Sequence, residues 1–216
     1  MLTIHHLATS QSERIVWLCE ELGIAYDLKR YDRRADNKLA PPEYKALHPM
    51  GIAPVISDGD LVLGESGAIV EYVIQTYGGG RLALKRGDAG FADYLYWFHF
   101  ANGTLQPTIG RVMALERVAP AEKNAPLQAA KDRLALMFAM IEQRLGAAPY
   151  FAGAELTAAD IMSVFSLTTM RLFRAMDLSP YPNVLGYLQR IGARQAYRRA
   201  MAKAEPGFAP MLGAVG

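Results

Sequence analysis

Apolar and polar positions fall into two different patterns along this chain. In the first third, short apolar runs alternate with a helical period. LTIHHL (2–7) reads as a strand. Ile15, Leu18, Cys19 and Leu22 then recur at i, i+3, i+4 and i+7, one face of a helix. Gly23 follows where a helix stop belongs. AYDLKRY (25–31) reads as a second strand, and 41–47 as a short helix with Pro42 in its first turn. PVIS and LVLG flank Asp58-Gly59-Asp60, a hairpin signal. Ser66 to Tyr77 reads as a closing helix. The order β-α-β-α-β-β-α predicts an α/β layer arrangement for residues 1–77.

Gly78-Gly79-Gly80 interrupts this pattern, and 78–87 reads as a linker. From 88 to 216 the period is helical throughout. An aromatic-rich helix is expected over 89–116, bent near Gly103 or Pro107. A second covers 125–145. Thr157-Ala-Ala-Asp160 has the form of a capping box ahead of Ile161, Val164 and Phe165. Pro182 is placed in the first turn of a helix over 182–191, and a last helix covers 194–203. The predicted fold is thus an α/β domain followed by an all-α helical bundle.

Composition narrows the function classes. Of 216 residues, 51% are hydrophobic and 20% charged, so the chain can bury a core without staples. Cys19 is the single cysteine; it excludes an internal disulfide and any C-x-x-C chemistry, and it fits a reducing, cytoplasmic setting. Its place on the apolar face of the first helix predicts a buried, inert thiol. No apolar run approaches the roughly 20 residues of a membrane span. The first residues reach Glu13 and Arg14 without a basic or apolar leader segment, so no secretory signal is expected. To Gly78 there are seven Lys/Arg against eleven Asp/Glu; from Gly79 there are sixteen against ten. This asymmetry agrees with two units. The positive half has no dense basic run with interleaved aromatics, so neither nucleic acid nor a membrane is an expected partner. His5 and His6 are neighbours on a strand and point to opposite faces, and no His/Cys/carboxylate cluster has zinc spacing, so no metal is expected.

One residue does not fit an ordinary strand. Pro54 stands at the start of APVIS (53–57), and a proline cannot donate to a sheet ladder. A special turn with a cis bond accommodates it. With LHPMGIAPVI, LGES and PYFAGAELTAADI in this order, the chain resembles the cytosolic glutathione transferases, most closely bacterial, fungal and theta-like members. The resemblance covers nearly the whole chain. It implies a thioredoxin-like N-terminal domain, a helical C-terminal domain, a homodimer, and glutathione as cosubstrate with no other cofactor. It implies a cis Ala53–Pro54 bond, with Ala53 pairing to the cysteinyl part of the tripeptide. Glu65 and Ser66 would hold the γ-glutamyl end. Charge agrees with this: Ser66 opens a helix, where free N–H groups favour a carboxylate, although it is equally placed as a plain N-cap.

The family's thiol-activating side chain lies between the first strand and first helix, here TSQSER (9–14). Ser10 is the expected catalytic residue, Ser12 its competitor and Thr9 a third choice. A hydroxyl beside a helix N-terminus stabilises a thiolate. Ser10-x-x-Glu13 is also a capping-box pattern. Where the family often carries a cation for glutathione's glycyl carboxylate, this chain has Ile52; Lys38 is the expected substitute, ahead of Arg34 and His48. Tyr96, Phe100 and Gln106 are the candidates for a pocket that takes a small hydrophobic electrophile. Thr157 and Asp160 are expected to be structural. The implied reaction is conjugation of the thiolate to a soft electrophile. Peroxidase, isomerase or dehalogenase chemistry on the same fold, and a non-enzymatic binding or assembly module, stay open.

Overall fold

The computed structural model describes residues 1–118 and 124–215. Four strands form one sheet in the order β2-β1-β3-β4: β1 (Leu2–Leu7), β2 (Asp27–Tyr31), β3 (Val55–Asp58) and β4 (Leu61–Leu63). β1 runs parallel to β2 and antiparallel to β3; β3 and β4 form the hairpin expected around Gly59. A parallel pair needs a crossover. Helix α1 (Glu13–Leu22) supplies it and ends at Gly23, whose φ of 65° is left-handed and whose N–H closes on the Cys19 carbonyl. The short α2 (Pro42–Lys45) and α3 (Ser66–Thr76) complete the expected order.

Helix α1 is buried on more than its apolar stripe. Ile15, Leu18, Cys19 and Leu22 are buried as the period predicts, and so are Val16 and Trp17. The second half of the chain covers that other side. Trp17 meets Tyr197 edge to face at 5.1 Å. Glu21 pairs with Arg194, and Glu20 with Arg199 and Lys203. Those partners lie in or just before α9 (Gln195–Ala204), so the last helix packs along the first.

The second half is helical: α4 (Phe91–Phe100), α5 (Gln106–Val118), α6 (Ala125–Ala147), α7 (Ala158–Leu167), α8 (Pro182–Ala193) and α9. The single helix expected over 89–116 is two, joined by a π-helical turn at Ala101–Leu105. Pro107 explains it. It has no N–H to give the Gly103 carbonyl, and the wider turn relieves that conflict.

Helix α7 is buried at every position from Ala158 to Leu167. Its start is the expected capping box. Thr157 Oγ1 accepts the Ala159 N–H, and Asp160 Oδ2 accepts the Thr157 N–H at 2.9 Å. Asp160 Oδ1 also accepts from the Phe151 N–H and the Tyr187 hydroxyl, both at 3.0 Å. Burial pushes this carboxyl up to about 6 in spite of those donors. Removing it strands several buried groups at once. Asp160→Ala is therefore expected to lower stability by about 3–5 kcal/mol, against about 1 kcal/mol for Thr157→Ala. Urea unfolding of both variants checks this; equal, small losses would reject the assignment.

Candidate functional site

The turn between β1 and α1 is where the two halves of the chain meet. Thr9 has a left-handed φ of 49°, and its N–H donates to the Glu205 carboxylate just beyond α9. Ser10 and Ser12 follow, with their hydroxyl oxygens 2.6 Å apart. Ser12 is fully buried, 2.8 Å from Nδ1 of His6. Nε2 of His6 lies 3.0 Å from Oε1 of Glu205. Ser10 faces the other way and lines an open cavity; Ser12 does not reach it. The Ser10-x-x-Glu13 capping box does not form. No side chain caps α1, because Ser10's oxygen is engaged by Ser12 and the Glu13 carboxyl turns into the core. There it accepts from Thr169 at 2.7 Å.

Arg14 is the next residue and is 1% exposed. One guanidinium nitrogen donates to Gln11 Oε1 (2.6 Å), Ser66 Oγ (3.1 Å) and Asn102 Oδ1 (2.9 Å). The other donates to Gln106 Oε1 at 2.9 Å. The group sits over the Phe165 ring. Burial pulls its pKa down to about 9, so it is a cation at neutral pH. One side chain thus ties α1 to α3, the π turn, α5 and α7.

The cavity beside Ser10 holds about 340 Å³. Gln11 and Ala53 form one side, Gln106, Phe165 and Phe173 the other. The Ala53–Pro54 bond is cis, as expected. The Ala53 carbonyl accepts the Gln11 side-chain N–H at 2.9 Å. Ser66 opens α3 and is buried; its oxygen accepts from Arg14 and from Asn102 Nδ2 at 2.8 Å, and its own proton has no acceptor among the described residues. Glu65 is exposed beside it and faces a second cavity of about 460 Å³, shared with Asn102, His99 and Met162.

Other expected residues lie elsewhere. Lys38 is exposed and does not line the Ser10 cavity; its carbonyl accepts from Arg33. Arg34 pairs with Asp36 at 2.6 Å, and His48 Nδ1 accepts the Met50 N–H within a turn. The cations that do line the cavity are Arg33 and Lys45. Arg33 spends its donors on the Ala8, Thr9 and Lys38 carbonyls. Lys45 has no carboxylate partner among the described residues. Gln106 lines the cavity, but Tyr96 and Phe100 do not. They stack on each other on α4, with Phe100 packed on Trp97. Gln106 follows the π turn at the start of α5.

Sequence reasoning missed Gln11, Arg14, Asn102, His6 and Glu205. Arg14 had a signal: a cation in the first turn opposes the helix dipole. The His6 and Glu205 pairing had none, because 199 positions separate them. His5 and His6 do face opposite ways, His5 toward Tyr31 and Ser57. Cys19 is buried, and burial raises its thiol to about 12. Among the described residues no group of three or more His, Cys, Asp or Glu is arranged to hold a metal ion, and no helix is long and apolar enough to cross a membrane.

Residues 9–76 match the family model described as glutathione S-transferase, N-terminal domain, and residues 105–195 match that for the C-terminal domain. Glutathione S-transferase 3 of Schizosaccharomyces pombe is 30% identical over 95% of this chain and 88% of its own length. A glutathione S-transferase crystal structure from Actinobacillus pleuropneumoniae superposes with a TM-score of 0.85 at 32% identity, covering 97% of each chain. One from Burkholderia graminis, with two glutathione molecules bound per subunit, gives 0.73 at 24% identity over 95% of this chain and 89% of its own.

Glu13 makes the site's surroundings sensitive to pH. Burial first, and the nearby Glu205 charge, push its carboxyl from the ordinary 4.5 to about 8, against the opposing effects of Thr169 and Arg14. The folded state therefore holds a proton that the unfolded chain releases. This stability is fully present below pH 4.5 and is lost as pH rises to about 8. The loss is on the order of 3–5 kcal/mol. Glu13→Gln should flatten the fall in urea midpoint between pH 5 and 9. A parallel, undiminished fall in the variant would reject this origin.

Proposed function

This chain belongs to the glutathione S-transferase family, and on that premise we propose that it binds glutathione beside Ser10 and adds its thiolate to a soft electrophile. The observation that carries the reading is one cavity bounded by the Ser10 hydroxyl and by the backbone of Ala53 ahead of the cis proline. The Ala53 edge would pair with the cysteinyl backbone and bring the sulfur to Ser10. Glutathione bound in the Burkholderia relative supports the ligand.

The γ-glutamyl end would lie at the start of α3. There the free proton of Ser66 and the first N–H groups of the helix would receive its carboxylate. Arg14 holds Ser66 and adds its charge from behind. Exposed Glu65 would pair with the ammonium group. Lys45, rather than Lys38, would take the glycyl carboxylate, because it lines the cavity with its charge unspent. Phe165, Phe173 and Gln106 would form the electrophile wall in place of Tyr96 and Phe100. In this reading residues 1–77 bind the tripeptide and 88–216 the electrophile, and the protein works as a homodimer.

The reaction needs little machinery. A thiol is a weak nucleophile until it ionises. Ser10 would stabilise the anion. Holding thiolate and electrophile together would supply the rest. The new S–C bond forms as the leaving group departs with its electron pair, or as a double bond accepts it.

Calorimetric titration with glutathione tests binding, and no heat at millimolar ligand would reject the proposal. Ser66→Ala is expected to weaken binding by about 1–3 kcal/mol with the chemical step unchanged. Ser10→Ala is expected to leave binding largely intact, raise the pH midpoint of the bound thiolate's absorbance and slow conjugation below that midpoint. Sedimentation at micromolar concentration should give a dimer mass.

A further inference from the structure

The catalytic reading needs a hydroxyl at Ser10. It does not need the buried line of polar groups behind it. Ser10 Oγ lies 2.6 Å from Ser12 Oγ, Ser12 Oγ 2.8 Å from His6 Nδ1, and His6 Nε2 3.0 Å from Glu205 Oε1. His6 and Ser12 have no exposure, and Ser10 and Glu205 have 5% each. The line starts at the cavity wall and ends at a carboxylate carried by the far end of the chain.

With Glu205 ionised and His6 neutral, the direction of these hydrogen bonds follows from the Glu205 end. An ionised carboxylate only accepts, and this one already receives the Thr9 N–H. A neutral His6 then donates through Nε2 and accepts at Nδ1. Ser12 gives its proton to Nδ1 rather than to the Leu7 carbonyl, which is more distant at 3.4 Å. Ser12's oxygen then accepts the Leu7 N–H and the Ser10 hydroxyl. Ser10 consequently points its proton inward and turns a lone pair toward the cavity. A hydroxyl so oriented cannot donate to a thiolate; it can accept a proton from a thiol.

Resting on the glutathione reading above, we propose that Ser10, Ser12 and His6 form a proton relay, anchored by Glu205, that takes the proton from the glutathione thiol and keeps it inside the protein. The S–H bond breaks as its proton passes to Ser10 Oγ. The Ser10 proton passes to Ser12, and the Ser12 proton to His6 Nδ1. The products are a thiolate and an imidazolium that faces the Glu205 carboxylate. No other reactant is needed. The shift reverses every hydroxyl, so Ser10 ends with its proton aimed at the new thiolate. An imidazolium in water is about two pH units more acidic than a thiol. The Ser10 hydrogen bond to sulfur stabilises the thiolate that the transfer forms. Glu205 is also within electrostatic reach of Arg33 beyond β2, whose charge biases the same proton, and of Glu13 on α1, which adds its charge only above its own pKa of about 8. His6, Ser12 and Glu205 are positioning residues that act through Ser10.

The test measures two quantities on the full-length protein as glutathione binds near pH 7: thiolate formed, by ultraviolet absorbance, and protons released, by an indicator in weak buffer. The relay predicts clearly fewer protons released than thiolates formed. His6→Gln and Glu205→Gln should restore one proton per thiolate and raise the thiol midpoint by about one pH unit, a tenfold loss of thiolate below it. Binding heat should survive in both. One proton per thiolate in the wild type, or an unmoved midpoint in both variants, overturns the relay while leaving the glutathione reading standing. Absence of binding heat in the wild type overturns both. If the variants melt early, nitrogen-15 spectra of the wild type decide. His6 should be the neutral Nε2–H tautomer without glutathione and an imidazolium with it. A His6 that is neutral in both states, or an imidazolium in both, overturns the relay.

Discussion

A guanidinium shut away from water between two domains must find its hydrogen bonds in protein, and much of the cleft follows from how Arg14 does so. Burying an unpaired cation is costly enough that its partners become obligatory. Gln11, Ser66, Asn102 and Gln106 come from four separate elements, and each is fixed by giving Arg14 an acceptor. Gln11 is held so that its amide meets the Ala53 carbonyl. Ser66 is held with its proton free. The cation therefore aligns the sheet half with the helical half and leaves both ends of the cleft with donors to offer.

The helical half does more than cover the sheet. Helix α9 packs along α1 through Trp17 and Tyr197 and through pairs to Glu20 and Glu21. Just past its end, Glu205 reaches back to the first strand and engages His6 and Thr9. The β1–α1 turn is thus held from both sides, by Arg14 toward α5 and α7 and by Glu205 from the C-terminal side. Its left-handed Thr9 is kept in place by these contacts and not by its own conformational preference.

Much of this was legible in the sequence because it is local. Strand and helix periods, Gly23, the 58–60 hairpin, Pro54 and the Thr157–Asp160 box each act within a few residues, and each is found. The π turn was half legible: Pro107 marked a disturbance, but not the form in which the helix absorbs it. Gln106 lines the cleft, whereas Tyr96 and Phe100 pack on each other along α4. Lys45 and Lys38 lie seven positions apart on an irregular stretch, where no period says which one faces inward. The Arg14 network joins residues up to 92 positions apart and the His6 network residues 199 apart, and no spacing rule reports which of them meet.

The pairing of His6 with Glu205 also sets an order of events during synthesis. Glu205 is made 199 positions after His6. At about 5–20 residues per second that interval is roughly ten to forty seconds. Throughout it the sheet half can form, but its core-facing imidazole has no carboxylate and the Thr9 N–H no acceptor. The turn that bears Ser10 gains its last contacts only after Glu205 has been made. A chain cut before Glu205 would carry Ser10 without the carboxylate that holds its turn, so α9 and the residue that follows it set when the site is complete.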